Sequence, residues 1–123
     1  MAKELTYLAG GMRGYRNLNF PMFHKAATNL RENGVDVWNP AERDEEEFWE
    51  AYPTAKVFDP EIWAQTCGHD FAYFMEHDLP QVCRCDTITL LPDWHDSQGA
   101  RLEARTALEC GKTAYIYVPT HGS

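Results

Sequence analysis

Two stretches carry side chains whose types and spacing suit chemistry. In "DWHDSQGARLEARTAL", residues 93–108, an apolar run ("DTITLLP") opens into Trp, His and Asp, turns through Ser97 and Gly99, and starts a helix carrying Glu103. Ser97 is a good N-cap, and the helix after it begins with exposed amides and a partial positive charge. Helical side chains lean back toward the N-terminus, so Glu103, one turn further in, is aimed at the strand ends. A nearby helix N-terminus favours its ionised form. The second stretch, "GGMRGYRNLNF", places Gly10, Gly11, Gly14, Arg13 and Arg16 directly after a strand. Glycines let backbone amides approach an anion, and Arg13 can add a bidentate contact. The pattern matches neither G-x-x-x-x-G-K-[ST] nor G-x-G-x-x-G. The competing reading of Glu103 is a solvated glutamate paired with Arg101 or Arg105.

Alternating elements must hold these loops. "LTYLA" (5–9) reads as a buried strand, 20–34 as a helix closed by Gly34, and "VDVW" (35–38) as a second strand. The acidic, aromatic stretch 41–60 reads as a loop or short helix over one edge. From Pro60 to about Cys83 the pattern is helical, with Asp59 as N-cap and a kink or restart at Pro80. A third strand (86–91), a helix (98–110, ended by Gly111) and a fourth strand (113–118) follow. On the last helix Ala100, Ala104, Ala107 and Leu108 form the apolar stripe, with Glu103 at its border. This alternation predicts an α/β fold: one flavodoxin-like or Rossmann-like domain, a parallel sheet of four to five strands with helices on both faces. Right-handed crossovers put strand one centrally, with strand two on one side and strands three and four on the other. Loops 9–19 and 92–99 then meet at the carboxyl ends of adjacent strands, where such sheets bind ligands.

The 123 residues suit a single domain, and no apolar run approaches the length of a membrane span. A net charge of −8 argues against a nucleic-acid polymer as partner while leaving a small phosphorylated ligand open. "MAKELTYLAGG" lacks the apolar centre of a secretory signal, and the four cysteines form no regular framework. Reduced thiols in a cytoplasm are the expectation. "CRC" (83–85) with His69 and His77 has poor spacing for zinc, so neither metal nor cofactor is expected. Trp38, Trp63 and the aromatic run 71–74 read as core or subunit contact, and His95 as a loop residue near the site.

"YLAGGMRG", then "NPAE", then "HDL" eight residues before "CD", then "SQGARLE", occur in this order along the chain. Together they resemble the nucleoside 2-deoxyribosyltransferase superfamily, most closely its short, phage-type branch, over roughly residues 5–118. The resemblance implies a flavodoxin-like fold, a homodimer or larger assembly, and cleavage of the N-glycosidic bond of a nucleoside or its 5′-monophosphate. It implies Glu103 as nucleophile, Tyr7 as the residue that orients it, and Asp78 as the acid. The glycine-arginine loop and serine, here Gly11, Arg13, Gly14 and Ser97, hold the 5′-phosphate. Gly10, Asn39, Asp96 and Gly99 complete the implied substrate-binding set. For a phage-encoded chain the compartment is the host cytoplasm.

The residue types suit that chemistry. As the base leaves, C1′ becomes oxocarbenium-like; a carboxylate can trap it, and an acid must protonate the base. "PTHGS" is short beside the C-terminal segment of the longer transferases, and the stretch 41–60 can instead close the site, with Trp49 or Tyr52 stacking on a base. Hydrolysis and transfer share the first half-reaction and differ in whether water or a base attacks the intermediate; the short C-terminal reach with Arg13 and Ser97 favours a 5′-phosphorylated substrate and hydrolysis. The reading from another class is a non-catalytic protein that sequesters or senses a nucleotide.

Overall fold

The computed structural model describes residues 3–119. The chain runs β1 (Leu5–Ala9), α1 (Phe20–Glu32), β2 (Asp36–Trp38), α2 (Pro40–Ala51), α3 (Pro60–Thr66), α4 (Phe71–Arg84), β3 (Thr87–Leu90), α5 (Gln98–Glu109) and β4 (Thr113–Ile116). All strand pairs are parallel, and the order is β2-β1-β3-β4. Strand one is central, as right-handed crossovers require. The architecture is a single α/β domain of the flavodoxin-like or Rossmann-like kind.

Period-two alternation on β1 sends its side chains into two separate cores. Tyr7 and Ala9 join Ile88 and Leu90 of β3 against Val82 of α4 and Ala100, Ala104 and Ala107 of α5. Leu8 faces the other way, with Val37 and Leu91, onto Phe20, Phe23, Ala26 and Ala27 of α1 and Ala41 of α2. On that second face the hydroxyls of Thr6 and Thr89 hydrogen-bond each other at 2.8 Å, which offsets the cost of burying both. Among the described residues no helix is long and apolar enough to cross a membrane.

Three local expectations are corrected. The stretch read as a loop or short helix contains a 12-residue helix, α2, capped by Asn39, whose side chain accepts from the Ala41 N–H at 2.9 Å. Pro40 at its first position needs no hydrogen bond there. The single helix expected from Pro60 onward is two helices. Gly68, at φ +76°, turns the chain, and Asp70 caps the restart by accepting from the Tyr73 N–H at 2.8 Å. Pro80 lies inside α4, exposed, and the helix continues through it. Finally, the buried stripe of α5 is Ala100, Glu103, Ala104 and Ala107, while Leu108 is 59% exposed.

Candidate active site

The carboxyl ends of β1 and β3 open into a cleft of about 310 Å³, a volume suited to a small organic ligand. One wall comes from the glycine loop, with Gly10, Met12, Arg13 and Tyr15; the facing wall is the start of α5, with Asp96, Ser97, Gln98 and Gly99. Trp63, Phe71 and Phe74 close an aromatic side, and Asp44, Asp78 and Glu103 bring three carboxyls to the same space. Ser97 caps α5, its Oγ accepting from the Ala100 N–H at 3.2 Å.

Glu103 is 5% exposed because it takes the middle position of the alanine stripe that packs α5 on the sheet. Behind it, Tyr7 is fully buried, and its hydroxyl donates to Glu103 Oε2. The Tyr7 ring is fixed by stacking on Trp38, with centroids 5.1 Å apart and planes 10° from parallel. Burial pushes the Glu103 carboxyl well above its ordinary value; the Tyr7 O–H pulls it back, and the charge of Asp78 raises it again. The expectation that the helix N-terminus keeps Glu103 ionised is therefore corrected: desolvation outweighs the helix start. Tyr7 is itself held well above its ordinary value, by burial first and Glu103 next, so it remains a phenol and a donor.

Asp78, on α4, is raised to about 6 by burial, against the opposing influence of His77, Arg43 and the Tyr7 hydroxyl. Asp44, on α2, is raised to about 7 by burial and then by the charges of Asp78 and Glu47, with Arg43 opposing. The seam between α2 and α4 is tied by Glu47, which accepts from Tyr73 Oη at 3.2 Å and pairs with His69. His69 stacks on Tyr73 with centroids 3.6 Å apart.

The fold brings Glu103, Asp78, Gly10, Arg13, Asp96, Ser97 and Gly99 to the cleft, with Tyr7 directly beneath Glu103. Three members of the expected binding set do other work. Asn39 caps α2 and is buried. Gly11 leaves room for the Tyr15 ring, since a Cβ there would lie 2.4 Å from Tyr15 Cε2. Gly14 supplies a turn at φ +84°. Gly10 is fixed by packing: a Cβ would sit 2.9 Å from Leu91 Cβ, wedging the two strand ends apart. Next to the loop, Asn17, Leu18 and Asn19 all adopt left-handed backbone, at φ 53°, 53° and 60°. Each such residue costs about 1–2 kcal/mol. The turn is tethered by the Asn17 N–H donating to Glu61 at 2.9 Å and by Asn19 Nδ2 donating to the Gly11 carbonyl at 3.0 Å.

Sequence reasoning missed Asp44 and placed the wrong aromatics over the ligand space. Trp49 and Tyr52, expected over a base, are 39% and 45% exposed and pack around Phe48. Trp63, read with Phe71 and Phe74 as core or subunit contact, is buried as core at 5% exposure, and all three also line the cleft. The signal for Asp44 was present: Asn39-Pro40 repeats the Asp59-Pro60 helix start, and Asp44 follows Ala41 at helical spacing. His95 is exposed and is not among the residues lining the cleft. Cys85 is buried in the core, where desolvation raises its thiol to about 11.

No curated protein matches the chain. A family model matches residues 4–59 and 54–116, nearly all of the described residues. The chain belongs to the family described as Domain of unknown function (DUF4406).

Proposed function

We propose that the chain cleaves the N-glycosidic bond of a nucleoside 5′-monophosphate or nucleoside, with Glu103 as nucleophile. The observation that carries this is a carboxyl buried at a cleft wall, gripped by a fully buried tyrosine hydroxyl, with a raised second carboxyl beside it. Binding alone needs no such arrangement, because burying an acid without a counter-charge is costly. The start of α5 and Arg13 offer donors for a 5′-phosphate at one end of the cleft. The aromatic wall offers faces for a base.

In the reaction the C1′ carbon gains positive character as the base leaves, and the ionised Glu103 meets it. Tyr7 and a protonated Asp78 both favour an ionised Glu103: the first donates to it, and the second no longer repels it. A proton held by Asp78 while Glu103 is ionised is the arrangement the reaction uses, a nucleophile and an acid in the same cleft.

The test is incubation of the purified chain with a panel of nucleosides and 5′-monophosphates, following free base by chromatography with and without an acceptor base. Release from a monophosphate without an acceptor supports hydrolysis, and release that needs one supports transfer. No release from any member leaves a nucleotide-binding protein.

A further inference from the structure

Asp44 lies on α2, 9% exposed, where the main cleft backs onto a second space of about 30 Å³. Asp78 lines both spaces as well, so the two carboxyls stand together, with Met12, Pro40 and Phe74, at the boundary between them. Among the described residues no donor reaches the Asp44 carboxyl; the nearby Ala41 N–H is taken by Asn39. A buried carboxyl without a donor is costly to ionise and is not needed to build a helix. The smaller space is also lined by Arg43, Glu47, Tyr73 and His77, and it has room for water among these polar groups.

We propose that Asp44 and Asp78 act as one acid, a carboxyl pair sharing a single proton that passes to the departing base. This rests on the glycosidase reading above. Two carboxyls at one site do not readily ionise together. Asp78 titrates at about 6, and burial together with the resulting Asp78 charge holds Asp44 at about 7. Other groups facing the pair are Glu47 and Glu45, which raise Asp44, Arg43, which lowers both, and His77 and Tyr7, which lower Asp78. Glu103 faces Asp78 from α5.

The step balances as follows. A Glu103 oxygen bonds to C1′, the C1′–N bond breaks with its electron pair going to the base, and the shared proton moves to that nitrogen. The pair is then fully ionised. Water attacks C1′, its proton returns to the pair, and Glu103 leaves as carboxylate.

The test combines a titration and a pH profile. Carboxyl 13C NMR of the wild-type chain should show two interacting titrations, and Asp78→Asn should lower that of Asp44. In Asp44→Asn, base release should fall about 10-fold at pH 5.5 and about 100-fold or more at pH 8, with the basic limb of kcat/KM moved to lower pH. Asp44 titrating as an isolated carboxyl overturns the pairing, and a folded Asp44→Asn with an unchanged basic limb overturns the proton delivery. The titrations of wild type and Asp78→Asn stand even where Asp44→Asn does not fold. A wild-type chain that releases no base overturns the glycosidase reading and the delivery step with it, while the titration still decides the pairing.

Discussion

The Tyr7 hydroxyl, on the central strand, donates a hydrogen bond to Glu103 Oε2 on α5, joining residues 96 positions apart. The bond opposes the burial that drives Glu103 toward its protonated form. Tyr7→Phe should raise the Glu103 carboxyl further, so the acidic limb of kcat/KM moves to higher pH. Losing a donor from a buried acceptor should also cost about 1–3 kcal/mol in urea unfolding at pH 7. An unmoved acidic limb would reduce Tyr7 to a core residue.

Glu103→Gln keeps the shape and removes the charge. Ligand binding should persist while base release drops roughly 10³-fold or more, about 4 kcal/mol of barrier. Glu103→Asp shortens the reach, and a misplacement of ~1 Å can cost about 10²-fold. The variant also has a signature without substrate. Because the folded carboxyl titrates well above 4.5, the folded state holds more protons than the unfolded chain over the interval between the two values. Wild-type stability should therefore be full below pH 4.5 and decline as pH rises through the folded value. The Gln variant lacks that decline, so its advantage in thermal melts should grow with pH.

Arg13 is exposed at the cleft rim. Arg13→Ala should weaken binding of a 5′-monophosphate by roughly 1.5–3 kcal/mol, about 10- to 150-fold, while barely changing nucleoside binding. Calorimetry with matched ligand pairs decides it, and equal losses for both would remove the phosphate from this end of the cleft.

A homodimer or larger assembly is expected through the α5–β4 edge. Leu108, Tyr115 and Ile116 are 59%, 50% and 58% exposed there, and β4 ends the sheet. Apolar exposure of this kind on a small domain suits a contact surface. Light scattering at about 50 µM should give at least twice the chain mass, on the basis of a Kd near micromolar. Leu108→Glu with Ile116→Lys should shift it to the monomer. A wild-type monomer would contradict the assignment.

The sheet order was legible because short strands, a Pro- or Ser-headed helix start and a glycine stop each leave local marks, as at Asp59-Pro60 and Gly111. The meeting of Glu103, Ser97 and Arg13 then follows from topology. What stayed hidden depends on what lies opposite a helix face. Trp63, Phe71 and Phe74 have the composition of core, and only the tertiary arrangement puts an open cleft before them. In α2 the buried position after Ala41 holds Asp44, so the acidic run concealed the stripe that sequence patterning looks for. Leu108 misled in the opposite direction: an apolar side chain at stripe spacing faces outward, and the polar Glu103 faces in.

That inward glutamate gives the family a diagnostic. Leucine at position 103 would complete the alanine stripe with apolar surface but leave the buried Tyr7 O–H without its acceptor, so the two polar groups can be exchanged for apolar ones at low cost only together. Under the proposed function, a relative that has lost the chemistry should drift toward apolar residues at 7, 103 and 44 while keeping Gly10, whose constraint is the approach of two strands. The pattern of substitution across relatives would then separate members that still act on a ligand from those that retain only the scaffold.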